Sequence, residues 1–293
     1  MAESKGMDKV VKASSKIKYR RSLNSQQINV LGWLFKFRFS TSKQITVGLG
    51  RNEDSYKGIQ KKLQILEEQG FIDKRYDKSY KLQGRSAEYY LTPKGARQLE
   101  ESKPKTTNEW TIKTLYKNKT VSQDFITHCL SVADSALKLQ AVYGDKLKVF
   151  TKSTLVAYDY FPTWQPDLFL SLQTSKSKSR RRYFLDVWDG TKPFFIAVRK
   201  ARNYLNYADD GDWPNDEDFP AVLAACEDTK TQKKLNRQIK RALSESDMDE
   251  TIFATTTQEQ LTNQLKPSDR IWLKIEWDGE QEKTTLNSLS GNP

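Results

Sequence analysis

The residue types best suited to chemistry gather between positions 164 and 207. Asp167 follows a proline and opens an apolar run, 168–172, and Asp186 lies inside a second run, 183–188. Both runs have strand length and β-forming composition. The polar, basic segment 173–182 between them reads as a hairpin loop. Pairing the two strands would bring both carboxylates to one end of a sheet. Neighbouring carboxylates repel unless a cation or proton lies between them, so the pair suits Mg²⁺ or Mn²⁺. Such an ion polarises a phosphodiester and activates water. The next segment has helical character and carries Arg199, Lys200, Arg202, Tyr204 and Tyr207. Lys200 could stabilise a pentavalent phosphate. Alternatively Tyr204 or Tyr207 could attack phosphorus, its pKa lowered by the nearby cations. The plainer reading makes each Asp a turn residue and each Tyr a packed ring with a hydrogen-bonded hydroxyl.

Pro166-Asp167 followed by Asp186 resembles the PD-(D/E)xK nuclease superfamily. Lys200 and Tyr204 stand where several members carry Gln-x-x-x-Tyr. The lysine of the motif falls on Trp188, which cannot act as an ammonium; either Lys200 on the following helix replaces it, as a migrated lysine does in some relatives, or the site is dead.

The rest of the chain must position these groups. It has 293 residues, enough for two domains with sizeable cores. No apolar run approaches the roughly 20 residues that span a bilayer, and no membrane partner is expected. The first 21 residues are basic and polar without the apolar stretch of a secretory signal. Cys129 and Cys226 lie in apolar segments and read as buried thiols of a reducing, cytoplasmic compartment. The only histidine is His128, which excludes any mechanism needing a histidine cluster within one chain. A pairing of His128 with Asp124 or Asp134 is one reading; a satisfied core histidine is the simpler one.

Charge divides the chain. Residues 1–122 hold 26 Lys and Arg against 12 Asp and Glu, and the remainder holds 23 against 25. A polyanion partner for the front portion is the simplest inference, with a merely solvated surface as the alternative. Residues 1–22 read as a basic flexible arm. Apolar residues at Ile28, Leu31, Leu34 and Phe35 mark a first helix capped by Ser22 or Asn24; a short second helix runs to about Leu49. A third buries Ile59, Leu63 and Leu66 and stops at Gly70. Residues 71–76 and 87–91 read as a two-stranded hairpin with a long basic tip. Thr92-Pro93 supplies a cap and a first-turn proline for a fourth helix. That order resembles a winged helix-turn-helix. Lys57, Gln60, Lys61 and Gln64 would face the major groove, while Lys78, Lys81 and Arg85 on the wing would touch backbone or minor groove.

Residues 102–121 read as a linker with a strand or turn near 110–115. A helix extends from Ser122 to about Val142, then strands at 147–151 and 154–158, an acidic loop at 209–218 and a buried parallel strand at 220–226. A basic helix at 229–243, a strand at 251–255, a helix at 258–265 and a strand at 271–277 complete an α/β order. Residues 279–293 read as a disordered tail.

The chain resembles the plasmid replication–relaxation family. The matching blocks are Tyr90-Leu91-Thr92-Pro93-Lys94-Gly95, residues 127–134, Pro166-Asp167, residues 184–191 and the Lys200–Tyr204 helix. In the 184–191 block the family pattern Leu-Glu-x-Asp-Arg-Gly-Thr meets Asp186, Trp188 and Asp189 at its charged positions. The resemblance implies a DNA-binding protein of a plasmid or integrative element, acting in replication or in relaxation for mobilisation and nicking DNA. It implies a two-domain α+β or α/β chain: winged helix at 23–101 and a restriction-endonuclease-like, PD-(D/E)xK-like domain at 122–278. The expected partner is double-stranded DNA, with homodimerisation a further expectation. The competing reading is a non-catalytic replication initiator or regulator whose nuclease-like domain has degenerated into a dimerisation or partner-binding unit.

Overall fold

The computed structural model describes residues 22–104, 109–173, 180–214, 218–246, 250–276, 278 and 281–289; the basic arm lies outside them, as do 215–217 of the expected acidic loop and 290–293 of the expected tail. The fold is mixed α and β. Helix α1 (Ser25–Phe37) starts at Asn24, whose side chain accepts from the Gln27 amide while the Gln27 side chain accepts from the Asn24 amide. Strand β1 (Phe39–Thr41), α2 (Ser42–Gly48), α3 (Tyr56–Glu68), β2 (Ile72–Arg75), α4 (Lys78–Leu82), β3 (Glu88–Leu91) and α5 (Pro93–Ser102) come next. The strands form a three-stranded antiparallel sheet in the order β1-β3-β2. Two features escaped the sequence reading. Phe39–Thr41 adds a third strand, and the hairpin tip holds α4, capped by Asp77.

The segment expected to be a linker with a strand or turn contains helix α6 (Glu109–Leu115) and a helical turn at Tyr116–Lys119. Asn118 in that turn is fully buried and accepts from Arg38 Nε at 2.9 Å, so it ties the connecting segment to the end of α1. Helix α7 (Gln123–Tyr143) then takes further ties from α2: Gln44 Nε2 donates to the Leu130 carbonyl and to Asp134.

Beyond α7 lie β4 (Leu147–Thr151), α8 (Lys152–Leu155), β5 (Leu168–Gln173), β6 (Arg180–Trp188), α9 (Phe194–Asp209), β7 (Ala221–Cys226), α10 (Thr229–Ser244), β8 (Phe253–Thr257), α11 (Gln258–Asn263), β9 (Trp272–Ile275) and β10 (Lys283–Thr284). Several readings need correction. The strand expected at 154–158 is the short helix α8 and a turn. The last two main strands are shifted or shorter than their patterns suggested. Arg180–Arg182, read as loop, extends β6, while 174–179 lie outside the described residues. Part of the supposed tail is docked: β10 pairs with β9, Leu286 and Leu289 are buried, and the Tyr183 hydroxyl donates to the Leu286 carbonyl at 2.8 Å.

The seven strands form one sheet, β10-β9-β8-β7-β6-β5-β4, with β6, β7 and β8 parallel and the other pairs antiparallel. Side chains alternate across it. Leu168, Leu170, Leu185, Val187 and Leu223 join a core with α7 and the front helices; Phe169, Phe184, Trp188, Val222 and Cys226 face α9 and α10. Strand β7, at the middle of the parallel trio, is apolar on both faces because helices cover both.

Candidate functional site

The centre forms where β5 begins and β6 ends. Asp167 precedes β5, and its backbone amide donates to Asp186 Oδ1 at 3.0 Å. Its own Oδ2 accepts the Val187 amide at 3.0 Å. Strand pairing of Leu168 with Leu185 therefore locks the two carboxylates side by side. Both are buried. From α9, Lys200 closes on Asp186 Oδ1, and the Tyr204 hydroxyl donates to Asp186 Oδ2 at 3.0 Å. From the start of α8, Lys152 Nζ donates to Asp167 Oδ1 at 2.6 Å. Asp167, Asp186, Lys200 and Tyr204 thus meet at one place. Burial alone would raise the Asp167 pKa; the ammoniums of Lys152 and Lys200 and the His128 imidazole outweigh it and hold the carboxyl well below its ordinary value.

Four members of the centre were not found by sequence reasoning in this role: His128, Lys152, Asp189 and Lys192. His128 is buried on α7, but its partners are neither Asp124 nor Asp134. Its Nδ1 lies 3.1 Å from Asp189 Oδ2, and its Nε2 lies 3.2 Å from Asp167 Oδ1 and 2.9 Å from Lys192 Nζ. The two contacts at Nε2 exclude each other. A protonated Nε2 donates to Asp167; a bare Nε2 accepts from Lys192. Burial pulls the His128 pKa down, yet the hydrogen bonds to Asp167 and Asp189 leave it raised overall, which favours the imidazolium. Burial acts upward on Asp189, but His128 and the Thr191 hydroxyl and amide hold it down at about 2. The signal for Asp189 was the Asp-Gly-Thr turn itself: Gly190 sits at φ 77°, a conformation that favours glycine.

A family model described as replication-relaxation matches residues 31–222. The chain belongs to the replication-relaxation family. The matched span takes in α3, the hairpin and every residue of the buried centre, and ends as β7 begins. No curated protein matches the chain. A solved structure of the restriction endonuclease FokI shares 14% identity with this replication-relaxation protein, covering 81% of this chain and 42% of that one, with a TM-score of 0.29. The chain thus spans under half of that enzyme's length, and a likeness this slight carries no argument.

The tyrosines depart from expectation. Cations do not lower the Tyr204 pKa; burial and the Asp186 carboxylate raise it well above its ordinary value. Burial pushes Tyr207 up to about 12, and its hydroxyl is turned away from the centre to the Tyr160 carbonyl. Trp188 is buried among the α9 and α10 side chains, with Lys192 Nζ 5.9 Å from its ring centroid.

The donor set does not suit a divalent cation as it is folded. Every carboxylate oxygen of Asp167, Asp186 and Asp189 already accepts a hydrogen bond. Three carboxylates face three lysines and a histidine. Among the described residues no group of three or more His, Cys, Asp or Glu side chains is placed to hold a metal ion. A Mg²⁺ ion binds one or two carboxylates plus water, and here ammonium groups fill that space.

On the front portion, Ile59, Leu63 and Leu66 of α3 are buried, and Lys57, Gln60, Lys61 and Gln64 lie exposed on its other side. Gln64 donates to Glu68 at 3.0 Å. Lys78 and Lys81 are exposed on α4. Arg85 is committed elsewhere: it pairs with Glu88 at 2.7 Å and lies 4.5 Å from the Tyr80 ring centroid. Its place is inside a network of Tyr80, Glu88 and Gln123 that ties the hairpin to α7.

Proposed function

We propose that this replication-relaxation protein binds duplex DNA of a plasmid or integrative element through a winged helix formed by residues 23–101. In this reading α3 enters the major groove, with Lys57, Gln60, Lys61 and Gln64 toward bases and backbone, and Lys78 and Lys81 of the hairpin meet phosphate. The observation that carries it is the polar, cationic face of α3, exposed beside a three-stranded sheet in the part of the chain that holds the charge surplus. Residues 122–278 form the second working unit. The test is a mobility shift with cognate duplex. Full-length protein binds, and the variant carrying both Lys57→Ala and Lys61→Ala binds much more weakly. Equal affinity for both would remove α3 from the interface.

A second reading, DNA nicking in the course of relaxation, is favoured by the convergence of Asp167, Asp186 and Lys200. The balanced charges of the centre weigh against it and for a non-catalytic initiator or regulator. Supercoiled cognate plasmid incubated with Mg²⁺ or Mn²⁺ separates the two. Open-circle product lost in Asp167→Asn supports nicking. Binding without cleavage at any metal concentration supports the regulator.

A further inference from the structure

A cleft of about 340 Å³ runs between the end of α1 and the buried centre. Its walls include Lys36, Arg38, Phe125, His128, Lys152 and Asp167. Lys152 is neutralised by Asp167, but Lys36 and Arg38 make no ion pair with a carboxylate among the described residues. Both are part-buried, and burial lowers the pKa of each. A partly desolvated cation without a counter-ion is a ready partner for an incoming anion, which it meets through charge-assisted hydrogen bonds.

The arginine is held in place for such a role. Arg38 sits at φ 68°, which L residues rarely adopt. Its Nε is engaged by Asn118, and its guanidinium lies 4.7 Å from the Phe125 ring centroid. The terminal guanidinium nitrogens make no hydrogen bond among the described residues. Lys36 is fixed less tightly, its Nζ 5.5 Å from the Phe37 ring centroid. The Lys36 carbonyl accepts from Ser153, which ties this corner to α8. Cations interleaved with aromatic rings are what single-stranded nucleic acid binds, phosphate on the former and unstacked bases on the latter. The volume lies near the lower limit of small-ligand sites, roughly 300 Å³, which admits a nucleotide and no duplex.

We propose that this cleft seats one unstacked nucleotide of single-stranded DNA, its phosphate between Lys36 and Arg38 and its base on the apolar wall around Phe125. The assignment of DNA as the polymer rests on the function proposed above; the cleft and its unpaired cations do not. A strand seated here runs directly past Asp167 and His128.

The experiment is fluorescence anisotropy of the full chain with a short labelled oligothymidylate and, separately, a labelled duplex. Lys36→Gln weakens single-strand binding on the order of tenfold and leaves duplex binding unchanged; Lys36→Arg retains both. The slope of log affinity against log salt for the single strand falls by about 0.7 in Lys36→Gln. Arg38→Gln gives a second weakening, with thermal unfolding as the check that the chain is intact. Unchanged single-strand affinity in Lys36→Gln and in a folded Arg38→Gln protein overturns the proposal. So does displacement of the oligonucleotide by thymidine monophosphate at equal concentration, which would make the site one for free nucleotides. A protein that binds the single strand but no duplex refutes the winged-helix reading and leaves this one standing; the reverse result refutes this one alone.

Discussion

On α3, Lys57 and Lys61 stand exposed with no carboxylate among the described residues closed on them, whereas Lys152 and Lys200 are bonded directly to Asp167 and Asp186. The same side chain thus has two physical roles in one molecule. A solvated ammonium contributes little to folding and remains free for a polyanion. An ammonium against a buried carboxylate is part of the fold, because the carboxylate left alone would be far from water, even where, as at Lys152, the ammonium itself keeps some solvent. Sequence charge counts register the first kind. The second kind cancels in any count.

The largest effect should come from unbalancing the centre. Asp186→Ala leaves Lys200 and the Tyr204 hydroxyl without their acceptor and should cost about 3–5 kcal/mol in urea unfolding. A loss under about 1 kcal/mol would mean that the pair is solvated, and the contrast with α3 would fall.

A smaller effect is expected where the front portion relies on backbone packing and not on charge. A Cβ at Gly95 would lie 2.0 Å from the Phe71 carbonyl oxygen, so Gly95→Ala should destabilise by about 1–3 kcal/mol. A neutral result, measured the same way, would show that α5 can slide away from the hairpin.

The paired change Lys57→Ala and Lys61→Ala should alter stability by no more than about 0.5 kcal/mol. Its effect belongs to binding: the salt slope for duplex should fall by about 0.9 for each phosphate that is no longer neutralised. Destabilisation without a change in slope would reverse the roles assigned to the two regions.

The smallest effect is in pH dependence. His128 is the only histidine, so its imidazole gives a single NMR titration. Its pKa should lie above 6.5, and Asp189→Asn should lower it. A raised folded pKa means stabilisation that is complete below 6.5 and lost as pH rises through the folded value. For Asp189, depressed from 3.8 to about 2, stabilisation is complete above 3.8 and lost as pH falls toward about 2. The contribution of this pair should therefore be greatest between those limits, and an unshifted His128 titration would break the network drawn here.

Local pattern carried the sequence reading a long way. The Asn24 cap of α1, offered beside Ser22, the Thr92-Pro93 helix start and the doubly apolar run of β7 each depend on residues within a few positions of one another. Asp167 and Asp186 were legible as neighbours for the same reason, since two adjacent strands of definite length leave little choice of register. The short segments were less legible. Helix α8, strand β1 and the docked Leu286–Ser288 turn are too brief to carry a period, and their form comes from what they pack against.

The amino-acid sequence alone determined the longer helices and strands, the front-loaded charge and the pair of acids on two neighbouring strands. The tertiary structure decided which cations neutralise those acids. His128 reaches Asp167 across 39 positions and Asp189 across 61, because α7 crosses the sheet at the end where β5 starts and β6 finishes. No local periodicity encodes that crossing: it comes from burying the apolar side of α7 on Leu168, Leu185 and Val187, and the histidine goes where the helix takes it.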